Sequence, residues 1–226
     1  MTSLPNLPVT KISKSVSTFR LISKGTGSIS RFINEDELRT IKPVKDMVSR
    51  SYVHEQFYGT SPAQSYIISE HIVNDNFTHS RGYGRFNDDK EEVWYCAFRR
   101  NTAVKEKAYH EERKLKEMGK REHEHKVVCQ EIFADFTGNF HDARGEPRGE
   151  GILGLDPETA YPLGQELAHK LRAEGSSGII YPSVRDPGEE GVCLVAFHRG
   201  IVQNARYGDL WEMSWSKEGE CEVKKM

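Results

Sequence analysis

The sequence predicts a mixed α/β domain. Apolar residues make up 36% of the 226 and charged residues 29%, a balance that supports a buried core within a water-exposed surface. Short runs of β-branched and aromatic residues alternate with segments of helical periodicity. The two kinds of segment interleave along the chain, with no internal repeat and no long low-complexity linker, so one domain over residues 16–226 is the simplest organisation.

The first 15 residues hold Pro5 and Pro8 and little periodicity, and read as a loose tail. Val16 to Ser23 is a strand, ended by Lys24-Gly25-Thr26-Gly27. Glu35 to Arg50 has helical character broken by Pro43. Pro62 to Val73 is a helix opened by its proline, with Ala63, Tyr66, Ile67, Ile68 and Ile72 on a broad apolar face. Together these make residues 25–79 a helical insertion or lid. Thr78 to Lys90 is a polar, glycine-rich loop, and Glu92 to Phe98 a buried-type strand. Asn101 to Met118 is a helix capped by Asn101 or Thr102, running into a tract of both charge signs up to Lys126. Val127 to Phe136 is a strand and Thr137 to Pro157 a loop. Pro162 to Ala173 is a helix with a Leu163, Leu167, Leu171 stripe and Gly175 just past its end. Ile179–Val184, Val192–Phe197, Val202–Tyr207 and Leu210–Trp215 are short strands. In the last, Trp211 and Trp215 share one face and read as core or interface.

Bulk properties exclude several functions. No apolar run approaches the roughly 18–20 residues of a membrane span. The N-terminus lacks the apolar stretch of a signal peptide, so a cytoplasmic protein is expected, without membrane contact. A net charge of -2 argues against direct nucleic-acid binding. Cys96, Cys129, Cys193 and Cys221 form no CxxC pair and read as reduced thiols; no metal is expected. His123 and His125 lack the i,i+4 spacing of a helical metal pair.

Three segments carry a family resemblance: Arg81-Gly-Tyr-Gly-Arg85-Phe-Asn87; Val93-Trp-Tyr95-Cys-Ala97 followed by Ala103-Val-Lys-Glu106; and Ser177-Gly-Ile-Ile-Tyr181-Pro-Ser183-Val-Arg185. Arg85, Tyr95 and Glu106 fall ten and eleven residues apart, with Ser183 77 residues further on. In order and spacing they resemble the RES family, over roughly Phe19 to Phe197, with Thr18-Phe-Arg20-Leu similar to its opening strand. Phe86 stands where tryptophan is usual in that family. About 60 residues separate Arg20 from the arginine loop, more than in compact members.

The resemblance implies an ADP-ribosyltransferase-like core of short-stranded sheets flanked by helices. It also implies a toxin enzyme that cleaves the nicotinamide–ribose bond of NAD by hydrolysis or phosphorolysis. NAD is then substrate, and Arg85, Glu106, Tyr95 and Ser183 are the catalytic candidates. Arg20, Arg81, Asn87 and Arg185 are the NAD-binding candidates. A cognate antitoxin with a helix-turn-helix part is the implied partner, and oligomeric state is open, a homo-oligomer included. ADP-ribosyl transfer to a cellular protein would use the same site, and a non-enzymatic binding module is the remaining alternative.

The residue chemistry is compatible with this. An arginine fork on a glycine-rich loop suits a pyrophosphate, each charge-assisted bond contributing about 1.5–3 kcal/mol. Glu106 suits the positive charge that develops on the ribose carbon, or the activation of an acceptor. Tyr95 would stack on a ligand ring or bond its sugar, and Ser183, at a strand end after Pro182, would hydrogen-bond NAD. By composition alone, Glu106 would be a solvated helix residue and Tyr95 a core aromatic.

Overall fold

A computed structural model describes residues 4–23, 62–78, 83–117, 125–188, 190–216 and 220–226. It is a mixed α/β structure organised by one long strand, β3 (His125–Asp142). Along one edge β3 pairs antiparallel with β1 (Val9–Ser23). Along the other it pairs first with β6 (Val202–Trp215), antiparallel, and then with β4 (Gly178–Pro182), parallel. β4 continues to β5 (Val192–Ala196) and β5 to β2 (Trp94–Ala97), both antiparallel. β2 returns to β1 at Phe19↔Ala97, which closes β1-β2-β5-β4-β3 into a ring. β7 (Cys221–Lys225) extends β6 as an outer strand.

Three helices among the described residues cover this sheet: α1 (Pro62–Thr78), α2 (Arg100–Glu117) and α3 (Pro157–Ala173). The strand alternation explains why both faces need cover. On β2, β4 and β5, Ala97, Ile179, Tyr181, Cys193 and Val195 pack with Leu167, Ala168 and Leu171 of α3. The alternate residues Trp94, Cys96, Ile180, Leu194 and Ala196 pack with Ile72, Val73 and Phe77 of α1. Leu115 of α2 packs with Leu21, Cys129, Met213 and Trp215, and Trp211 joins the same cluster. The expectation of one apolar face for the two tryptophans is met. Cys96, Cys129 and Cys193 are buried free thiols in strands, and Cys221 is exposed.

Several boundaries differ from expectation. The tail is not loose to residue 15, because β1 begins at Val9. Its first residues, Val9 to Ile12, are paired to β3 from Val9↔His141 onward, and Leu7 is buried just before them. β3 runs to Asp142 through the stretch expected to be loop, since Phe140 to Asp142 bond both β1 and β4. The two strands expected between Val202 and Trp215 are one. Gly208-Asp209 forms an irregularity within it, where the Gln130 side chain donates to the Gly208 carbonyl and the Asp209 N–H donates to Glu131. β1, β3 and β6 therefore depart from the short strands expected. α3 starts five residues early, at Pro157, because Asp156 caps it by accepting from the Glu158 N–H. Of the proposed 25–79 insertion, only α1 lies within the described residues; the Glu35–Arg50 segment lies outside them. No described helix is long and apolar enough to cross a membrane.

Candidate functional site

The end of β4 and the second turn of α2 meet at one hydrogen bond. Ser183 Oγ donates to Glu106 Oε1 at 2.6 Å. The same Oγ accepts the N–H groups of Arg185 at 3.1 Å and Asp186 at 2.9 Å. Asp186 fastens this turn to α2: its carboxylate accepts from Thr102 Oγ1 and from Lys105 Nζ, both at 2.7 Å. Lys105 and Thr102 hold the Asp186 carboxyl below its ordinary range. On the far side of the turn, Arg148 donates to the carbonyls of Pro187 and Gly188. The position of Ser183 is thus fixed from both flanks.

Burial pushes the Glu106 carboxyl up from its ordinary value. The Ser183 hydroxyl, the Arg185 and Arg85 guanidiniums and the Cys193 thiol oppose that shift. Cys193 Sγ lies 3.9 Å from Glu106 Oε1. Arg185 is half-buried; its guanidinium carbon lies 3.4 Å over the Tyr109 ring centroid and Nη2 donates to the Leu155 carbonyl at 3.2 Å. Tyr109 is one helical turn beyond Glu106, so α2 presents a carboxylate and the aromatic support of a cation on neighbouring positions.

The arginine loop is built differently from expectation. Arg85 is only 7% exposed, and its guanidinium donates to the carbonyls of Ile152 at 2.6 Å and Gly154 at 3.1 Å. Its guanidinium carbon also sits 5.3 Å from the Tyr161 ring centroid. The Tyr95 hydroxyl accepts the Phe86 N–H and donates to Asn87 Oδ1, each at 2.9 Å. Burial raises the Tyr95 hydroxyl well above its ordinary range, so it remains a donor. Gln165 of α3 donates to the carbonyls of Gly84 and Asn87. Two glycines permit these close approaches. A Cβ at Gly84 would meet Asn87 Oδ1 at 2.3 Å, and one at Gly164 would meet the Arg85 carbonyl oxygen at 2.2 Å.

Of the residues singled out by sequence, Glu106, Ser183 and Arg185 come together directly. Arg85 acts on Glu106 through its charge. Ser183 is fully buried, with its one proton donated to Glu106 and its oxygen accepting the N–H groups of Arg185 and Asp186. The side chains of Tyr95 and the buried Asn87 tie the loop to β2. Arg85 is not an open-loop arginine, because its fork is spent on two backbone carbonyls. Arg20 sits at the β1–β2 joint, donating to the Tyr95 carbonyl at 3.3 Å with its guanidinium carbon 5.1 Å from the Trp94 ring centroid. Burial lowers its pKa to about 10. Arg81 lies outside the described residues.

Sequence reasoning missed Asp186, Tyr109, Gln165 and Gly164. Gly164 alone carried a signal, being a glycine inside a helix whose propensity it lowers.

A family model of the RES domain matches residues 61–216, more than two thirds of the chain. Comparison with curated proteins gives no match. RES domains are associated with NAD and with toxin function. The matched span includes Arg85, Tyr95, Glu106 and Ser183, and on its length the chain belongs to the RES domain family.

Proposed function

We propose that this protein is a toxin enzyme that binds NAD at the Glu106–Arg185 face and cleaves its nicotinamide–ribose bond. The observation that carries this reading is the partly desolvated Glu106 carboxylate, held by Ser183 and flanked by Arg185 and Arg85. In the cleavage step the C–N bond breaks and its electron pair leaves with nicotinamide. The ribose carbon is left with oxocarbenium character, which a nearby carboxylate stabilises. An oxygen of water or phosphate then bonds that carbon, and Glu106 takes the proton released. The products are nicotinamide and ADP-ribose, or its 1-phosphate.

The roles divide as follows. Glu106 is the catalytic residue. Arg185, half-buried and stacked on Tyr109, is the pyrophosphate ligand. Ser183, Arg85, Tyr95 and Asn87 are positioning residues. A cognate antitoxin that covers this face belongs to the same proposal.

The test is mass-spectrometric identification of products from NAD, with and without phosphate, using purified protein freed of any bound inhibitor. Nicotinamide release by wild type is expected, with a loss of about 10²–10⁴-fold in Glu106→Gln. Mass added to a protein acceptor, in place of small products, would move the assignment to ADP-ribosyl transfer. Intact NAD after incubation with folded wild type would refute the proposal.

A further inference from the structure

Asp88, Glu91 and His169 converge outside the Glu106 constellation, and the proposed chemistry uses none of them. Each offers one ligand atom, and the three atoms lie within 4.8 Å of one another. His169 Nε2 is 3.3 Å from Glu91 Oε2 and 3.6 Å from Asp88 Oδ2. A tetrahedral ion with bonds of about 2.0–2.1 Å places its ligand atoms roughly 3.3–3.5 Å apart. The 3.3 Å separation matches an edge of such a tetrahedron, and the 3.6 Å one is slightly longer. Glu91 Oε2 is shut off from solvent and makes no hydrogen bond of good geometry, its nearest polar neighbour being the His169 ring nitrogen at 3.3 Å. A buried carboxylate oxygen without a donor is costly unless something else satisfies it. The other oxygen, Oε1, is 3.1 Å from Arg172 Nε, so one carboxylate is already balanced and the group retains one negative charge when the imidazole is neutral.

We propose that Asp88, Glu91 and His169 form a binding site for a divalent ion of the zinc class. One imidazole nitrogen and two carboxylate oxygens suit that class better than calcium, which takes six to eight oxygens. The site revises the sequence-based expectation of no metal, which rested on cysteine and histidine spacing and could not see positions 88, 91 and 169 meet. Its place in the fold gives it a purpose. His169 is one turn beyond Gln165 on α3, and Gln165 already holds the carbonyls of Gly84 and Asn87. The ion fastens the chain just after the arginine loop to the same helix face and so rigidifies the loop that carries Arg85.

The test is calorimetric titration of chelator-treated full chain with ZnCl2, paired with thermal unfolding, and neither reads NAD cleavage. Wild type binds one zinc, with Tm rising on the order of 5 °C at about 100-fold excess over Kd. Calcium chloride gives no comparable rise. Glu91→Gln and His169→Ala weaken binding by roughly 100-fold or more, and their metal-free unfolding curves establish that they fold. Asp88→Asn serves where either does not. His198→Ala and Cys221→Ser, exposed positions outside the trio, bind zinc as wild type does. Absence of zinc binding by wild type, or binding unchanged in the trio variants, overturns the site.

Discussion

Removal of one hydroxyl, Ser183→Ala, tests how the fold holds Glu106. Ser183 is fully buried and makes three hydrogen bonds, one to Glu106 and two from the N–H groups of Arg185 and Asp186. A bond to a charged group contributes about 1.5–3 kcal/mol and each neutral one about 1 kcal/mol. The alanine leaves both backbone donors without this acceptor. A loss of about 3.5–5 kcal/mol is expected, seen as a fall in Tm of roughly 7–20 °C for a domain of this size. The loss also depends on pH. Burial raises the Glu106 carboxyl, so the folded state holds its proton more tightly than the unfolded state does. The stability this confers is present below the ordinary carboxylate value of 4.5 and is lost as pH rises through the folded value. Ser183 opposes the upward shift. Without it the folded value moves further up, and more stability is lost on the alkaline side. Urea unfolding of wild type and Ser183→Ala near pH 5 and at pH 8 measures this directly. The destabilisation is larger at pH 8. A change under about 0.5 kcal/mol, or one no larger at pH 8 than near pH 5, refutes the reasoning.

Three further outcomes follow from contacts on other elements. Gly164→Ala should destabilise by about 1–3 kcal/mol in thermal unfolding, despite a helix-propensity gain of about 1 kcal/mol, because the added Cβ drives into the Arg85 carbonyl. Lys107→Met removes a partner of the buried Glu111. Burial pushes Glu111 up, but Lys107 and Lys114 more than reverse this and hold it at about 2. The stabilisation is present above pH 4.5 and lost as pH falls toward 2, so the variant should lose about 3 kcal/mol at pH 7 and much less near pH 2 in denaturant titrations. Arg185→Ala should weaken NAD binding by about 10–100-fold in equilibrium titration while the far-UV spectrum stays that of wild type, since its main support is the face of Tyr109. Unchanged affinity would remove Arg185 from the phosphate role.

What the sequence disclosed depended on how local the cause was. α2 was legible within a residue at each end, because its periodicity and start signal lie inside its own segment. β2, β4 and β5 were legible because, buried on both faces, they are apolar along their whole length. The ends of β1 and β3 and all of β7 were not. Val9 to Ile12 and Cys221 to Lys225 are strands because a neighbour supplies the hydrogen bonds; the first is a four-residue piece next to Pro8, and the second carries Glu222, Lys224 and Lys225. The same division governs the site. Glu106 and Ser183 could be picked out by spacing shared with a family, yet nothing in the spacing says where their hydrogen bonds end. A polar residue beside a ligand and one bonded to a backbone carbonyl look alike in sequence. Arg85 shows this most clearly, since the glycines around it were read as room for a phosphate. The structure uses Gly84 and Gly164 to bring the loop against Asn87 and α3. The arginine proposed for the phosphate role is Arg185, just past the end of β4, in a turn fastened to α2 by Asp186, whose partner Lys105 is 81 residues away. Closing that distance is the work of the sheet, which brings the end of β4 to α2 and so joins Ser183 to Glu106.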